Sequence, residues 1–264
     1  MTVRLAAQES MLEGETLEEK FAFATAHGFD GIELSGRGEG VFAGRRDELA
    51  AARTAGVQMP SAVVAMPYFV GDFVEENRRR AIEDVKALLS TLPAAGAAGI
   101  VMPNGFAVFS KRLPPFVPPR SDEESRSMLV ASLKELGGHG EEVGAKVFLE
   151  PLNRYEDYLV NTLEDAVSIV EEVGSSAVTV IADTFHMSIE ETDIGAAIRA
   201  AGAHIEHVQL GDSDRLEPGH GHYDWPETLR ALESIHYDGW LAMECRLSGP
   251  PSEVLPRVAA LLKG

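Results

Sequence analysis

The chain has 264 residues, 45% of them hydrophobic and 25% charged, with 14 Pro, 25 Gly and one Cys; this excludes a disordered protein and provides for a core of ordinary size. Asp and Glu number 42 against 23 Lys and Arg, and the net charge of −19 repels phosphate backbones and anionic lipid, so a general nucleic-acid or membrane-surface binder is excluded. Cys245 alone cannot close an internal disulfide, and the N-terminal residues have neither a secretion-signal profile nor a bilayer-length apolar run, so a reducing, cytoplasmic location is expected.

Along the chain, apolar-periodic stretches close at a glycine and a short β-rich run follows. RLAAQ opens the series, and later runs end at Leu34, near Val64, and at Met102, Glu150, Asp183, Leu210 and Glu244. Gly28, Gly56, Gly96, Gly144, Gly174 and Gly202 suit the residue just past a helix, where positive φ is required. Helix starts are marked by capping boxes at Thr16 with Glu19 and Ser121 with Glu124, by a weaker version at Thr162 with Asp165, and by Asp224 ahead of Pro226. Eight strands alternating with eight helices, at about 33 residues per unit, predict an α/β fold: a single (β/α)8 TIM barrel over residues 1–264, with an open doubly wound sheet as the competitor. The segment Pro103–Arg120, with four prolines in its second half and three Phe, is expected to form an active-site lid or a subunit contact. A homo-dimer or homo-tetramer is compatible with it.

In such a barrel, polar groups at C-terminal strand ends converge on one pocket. Glu150, Asp183, Gln209 and Glu244 end the fifth to eighth runs, separated by 33, 26 and 35 residues, close to one repeat each time. Three carboxylates and an amide carbonyl gathered in a dry pocket repel one another unless a cation joins them. Oxygen donors favour Mn2+ or Mg2+, admit Co2+ and suit Zn2+ less. The alternative is four unrelated polar residues, each paired with a neighbouring Lys or Arg.

The segments LEPLNRYEDYLVNT, ADTFHMSIEE, HVQLGDSDRLEPGHGHYDW and GWLAMECR together resemble the xylose isomerase-like barrel superfamily of sugar isomerases and epimerases. The resemblance runs over roughly residues 3–260 and is strongest in the C-terminal half. It implies Glu150, Asp183 and Glu244 as metal ligands, Glu150 and Glu244 as the acid/base pair, His186 as a substrate contact and Arg215 as the holder of a substrate oxygen. Gln209, six residues before that arginine, departs from members similar to D-tagatose 3-epimerase, which carry His there. His207-Val208-Gln209 followed by Glu217-Pro218-Gly219 is similar instead to hydroxypyruvate isomerase members. Metal binding survives this departure; assignment to the epimerase branch does not.

The implied activity is that of a metal-dependent isomerase or epimerase of a small sugar or hydroxy-keto acid, removing a proton next to a carbonyl through an enediolate. An inosose- or dehydroshikimate-type dehydratase would begin with the same step. An apurinic-site endonuclease would need a histidine-rich zinc cluster that SAVVAMP and IVMPNG do not supply, and a silent sugar-binding protein would lack a catalytic group. Glu33 and Asn104 are further expected substrate contacts, Glu33 with a structural ion pair as an equal alternative. Phe106 and Phe109 are placed over the substrate or at a dimer contact. His207 is expected buried one layer below Gln209, and His220 and His222 exposed near the rim. Cys245 and Trp225 are expected in the core. Only GRGEG with Arg45 and Arg46 points to a phosphate site, so a non-phosphorylated substrate is expected.

Overall fold

Eight parallel strands pair in sequential order and close on themselves in the computed structural model, which describes residues 3–106 and 117–264. They are β1 (Arg4–Gln8), β2 (Gly31–Arg37), β3 (Ser61–Ala65), β4 (Gly99–Pro103), β5 (Lys146–Glu150), β6 (Val178–Asp183), β7 (Ile205–Leu210) and β8 (Trp240–Met243). The pairing of β8 with β1, Leu5 opposite Leu241, is the closure that periodicity alone could not establish, and it removes the open-sheet alternative. The outer layer comprises α1 (Leu17–Ala26), α2 (Arg46–Thr54), α3 (Glu75–Ala95), α4 (Asp122–Val143), α5 (Leu163–Val173), α6 (Thr184–Glu190), α7 (Ile194–Ala201), α8 (Trp225–Ser234) and α9 (Pro251–Lys263). The expected eight helices become nine among the described residues, because the crossover from β6 to β7 is split into α6 and α7.

Local chemistry sets these boundaries. All three capping boxes form in full, Thr162 with Asp165 as completely as the other two, so the early backbone N–H groups of α1, α4 and α5 are satisfied. Gly144 ends α4 at φ 72°, a conformation that a Cβ would strain. Asp224 caps α8 by accepting from the Glu227 N–H.

Two apolar layers flank the strands. The larger lies between strands and helices and includes Leu5, Ile32, Leu34, Ile100, Leu149, Val180 and Leu241. A small plug of Val101, Phe148 and Ile181 fills the barrel interior, with the Phe148 ring stacked on His207 at 5.3 Å. Beside that plug the interior is polar. A register shift places Ile205 opposite Val180 but His207 opposite Ile181, so Glu206 is the extra residue of a bulge. Its carboxylate pairs with Lys146 at 2.6 Å, and beyond it Gln209 sits beside Asp183.

Two expectations change and a third is not tested. β2 continues to Arg37, so Glu33 lies in mid-strand rather than near its end. Cys245 is half-buried, packed against the outer layer. Residues 107–116, with Phe109, lie outside the described residues. Among those described, no helix is long and apolar enough to cross a membrane.

Gly99 starts β4 where a Cβ would stand 2.6 Å from the Lys146 carbonyl and 2.7 Å from the Phe148 ring. Gly99→Ala is therefore expected to lower stability by about 1–3 kcal/mol. Denaturant unfolding with the parental midpoint would contradict this packing.

Candidate active site

Four strand ends deliver the acidic wall. Glu150 is the last residue of β5 and Asp183 the last of β6, Gln209 is next to last in β7, and Glu244 follows β8. Ligand-capable atoms of Glu150, Asp183 and His186 lie within 4.8 Å of one another. Burial, together with the charges of Glu244 and Asp183, holds the Glu150 carboxyl well above the usual carboxylate range. Burial likewise pushes Asp183 to about 7 and, with Asp183 and Glu33 as neighbours, Glu244 to about 8.

Asp183 also caps α6: its Oδ1 accepts from the His186 N–H at 2.9 Å, which starts the helix one residue after the strand. The Nδ1 of His186 accepts from the Asn153 backbone N–H at 3.0 Å, and the Asn153 side-chain amide approaches it at 2.8 Å. That places the imidazole proton on Nε2, which faces Glu150 Oε1 at 3.6 Å. Burial and the Arg215 charge lower the His186 pKa to about 3, so the ring is neutral. His186 is thus a hydrogen-bond donor to the cavity, although it falls within the metal-sized cluster.

Gln209 is fully buried, and its Nε2 donates to Glu33 Oε2 at 2.8 Å while its Oε1 has no hydrogen-bond partner. An orphaned buried acceptor next to acidic groups is the donor chemistry that a hard divalent cation satisfies. Glu150 and Asp183 belong to the metal-sized cluster, of which Glu244 is not a member.

Glu150 and Glu244 border a cavity of about 280 Å³, from whose wall Asp183 and Gln209 are absent. Glu150, His186, Glu244, Arg215 and Glu156 form its polar side; Val63, Met66, Phe69, Pro103, Phe106 and Leu152 form its apolar side. Arg215 adopts a left-handed φ of 61° in the loop between β7 and α8. Asp212 organises that loop by accepting from the N–H groups of Ser213, Gly219 and Tyr223 and from the indole of the buried Trp225. The Arg215 guanidinium lies 4.7 Å over the Phe185 ring and pairs with Glu156. Glu156, whose Oε2 is buried without a partner, is not among the residues expected from the sequence; a charged residue six positions past the strand-end Glu150 was the available signal.

Other candidates lie elsewhere. Glu33 is fully buried beneath the cavity, not in its wall, and accepts from Ser61 at 2.9 Å, His207 at 2.9 Å and Gln8 at 3.3 Å as well as from Gln209. Burial alone would raise its pKa, but the contacts with His207, Gln209 and Ser61 outweigh that and hold it below the ordinary value. Asn104 is 1% exposed and is absent from the cavity wall. Its side-chain amide donates to Asp157 at 3.0 Å and its backbone carbonyl accepts from the Gly71 N–H, so it ties together the loops after β3, β4 and β5. His220 pairs with Asp214 and His222 with Ser213, both away from the cavity wall. Arg45 is engaged by Glu9 and Glu48, and Arg46 donates to the Ser90 carbonyl, which leaves no basic phosphate cradle there.

The chain matches the family described as Xylose isomerase-like TIM barrel over residues 21–263. It is 32% identical over 246 residues to the 3-dehydro-D-guloside 4-epimerase of Escherichia coli (strain K12), covering 93% of each chain. A crystal structure of 3-keto-D-glucoside 4-epimerase from E. coli, in its apo form, superposes with a TM-score of 0.92 at 32% identity, covering 99% of both chains. The D-psicose 3-epimerase of Enterocloster bolteae is 46% identical over 119 residues, 45% of this chain and 40% of that one. These relatives correct the inference drawn from Gln209: an amide at that position does not remove the chain from the epimerases. The protein belongs to the xylose isomerase-like TIM barrel family, on the side of it that holds sugar isomerases and epimerases.

Proposed function

We propose that the protein is a divalent-metal-dependent epimerase that inverts the carbon next to a carbonyl in a small, non-phosphorylated sugar, with a 3-keto hexoside inverted at C4 as the favoured substrate. The observation that carries the reading is the pair Glu150 and Glu244, two acidic groups of raised pKa lining one cavity from strands three places apart in the ring. The choice of a keto-glycoside over a free ketose is supported by the relatives: the 4-epimerase matches along nearly the whole chain, the psicose 3-epimerase along less than half.

Mn2+ or Mg2+, held by Glu150, Asp183, Gln209 and Glu244, would polarise the carbonyl and a neighbouring hydroxyl and so acidify the C–H between them. One glutamate removes that proton from one face of the sugar, and the other returns a proton to the opposite face, which inverts the carbon. His186 donates from Nε2 to the oxygen beside the reacting carbon, and its low pKa keeps it from adding a second positive charge. Arg215 and Glu156, paired at the wall, offer a donor and an acceptor to sugar hydroxyls. The surplus of carboxylates repels a phosphate group.

In heavy water, the Mn2+-loaded protein should place deuterium on the carbon next to the carbonyl of a 3-keto glycoside, with mass otherwise conserved; loss of water with an ultraviolet-absorbing product would reassign it as a dehydratase. Glu150→Gln and Glu244→Gln should each lower kcat by about 10²- to 10⁴-fold without lowering the melting temperature. Retained activity in both variants would remove the assignment. Because Asp183 and Glu244 have raised pKa values, these two groups bind more protons in the metal-free folded protein than in the unfolded chain between about pH 4 and about pH 8, and stability should fall as pH rises from about 6.5 to about 8, above the range in which the neutral His186 opposes the trend. Metal must displace those protons, so the rise in melting temperature on adding Mn2+ should grow from pH 5 to pH 9. A shift independent of pH, read by thermal unfolding with Mn2+ or EDTA, would contradict it.

A further inference from the structure

Beneath the cavity, Glu33 is a buried carboxylate for which the proposed chemistry has no direct use. It is absent from the wall of that cavity, and yet it gathers donors from β1, β3 and β7. A buried charge is retained only where its hydrogen bonds are complete, and Ser61, His207, Gln209 and Gln8 together complete those of Glu33. Two links leave this network upward: the Gln8 amide, which also donates to Glu244 Oε1 at 3.1 Å, and the Gln209 amide, and of the two only Gln209 has an unpartnered acceptor.

A glutamine amide has two nearly isosteric ends, one accepting and the other donating. Turned one way, Gln209 presents Oε1 to the acidic wall; turned the other, it presents an NH2 group there, which no cation can use. A carboxylate only accepts, so Glu33 permits the first setting and opposes the second. The structure has that first setting, with Nε2 on Glu33 Oε2 at 2.8 Å and Oε1 buried, unpartnered and beside Asp183 in the strand register. Ser61 and His207, both on the other carboxylate oxygen at 2.9 Å, keep Glu33 itself from rotating.

We propose that Glu33 is a positioning residue that locks the Gln209 amide with its oxygen toward Glu150, Asp183 and Glu244, and so completes an all-oxygen site for a divalent cation. The inference rests on the metal-centre reading above. Through this contact a neutral amide, which by itself has no preferred end, becomes a directed ligand.

Replacing Glu33 with Gln keeps the shape and removes the acceptor-only character, since the introduced amide can face either way. Glu33→Gln should weaken Mn2+ binding, measured by calorimetry on metal-stripped protein, by about 10- to 100-fold. The melting temperature of the metal-free variant should fall, because the NH2 end of the introduced amide meets donors, so the deciding readout is the Mn2+ affinity of the folded protein, which a merely structural role would leave alone. In a Gln209→Ala background, Glu33→Gln should cost less than about threefold, because its effect passes through Gln209. An equal loss in both backgrounds would make Glu33 a remote charge and overturn the proposal, as would a folded Glu33→Gln protein with parental affinity. If Glu33→Gln does not fold, Mn2+-soaked crystals of the unaltered protein decide: Gln209 Oε1 on the ion with Nε2 still on Glu33 supports the lock, and an ion bound without Gln209, or Gln209 turned off Glu33, overturns it. A parental protein that binds no Mn2+ at all would overturn the metal centre and this inference together, a result distinct from equal binding by parent and variant.

Discussion

Glu150 and Glu244 line one small cavity with Asp183 as their charged neighbour, and the Arg215 guanidinium is the opposing charge that acts on all three. Proteins relieve such crowding by protonation, by countercharge or by a bound cation. Without an ion this site takes the first route, as the raised pKa values of all three record. With an ion, the same groups would be deprotonated ligands. Proton binding and metal binding are therefore alternatives at one place, and the chemistry proposed for the site depends on that exchange.

The fold serves this arrangement through its strand ends. Because the barrel is closed, residues from β5 to β8 that are far apart in sequence turn toward one axis. The short helix α6 adds to this. Its cap is Asp183 itself, so the strand that ends in a proposed ligand also aims His186 into the cavity one turn later. The bulge at Glu206 has a similar effect in β7: by taking up one residue at the barrel base, it brings His207 and Gln209 into line with Ile181 and Asp183. Moving the pairing by one residue would send both inward side chains outward.

The two sides of the cavity divide the work of recognition. The ends of β3 and β4 give an apolar wall, against which the carbon face of a sugar can lie, while Arg215, Glu156 and His186 present donors and acceptors opposite. Arg215 is held by an unusual amount of structure for a loop residue: a left-handed backbone, an aromatic ring beneath it and a loop strung on four hydrogen bonds to Asp212. Such pre-organisation lets a flexible side chain act at a defined point.

From the amino-acid order alone came the repeat, the helix starts at Thr16, Ser121 and Thr162, and the phase of Glu150, Asp183, Gln209 and Glu244 at strand ends. These follow from local rules, since a capping box spans four residues and strand alternation has a period of two, so neighbouring positions suffice to express them. The tertiary structure decided what depends on distant partners. Glu33 meets His207 and Gln209 across separations of 174 and 176 residues, Asn104 is tied to Asp157 across 53, and Glu156 becomes part of the cavity wall beside Arg215. A carboxylate or amide carries no mark of its eventual partner in its own segment, and only closure of the barrel brings the two together.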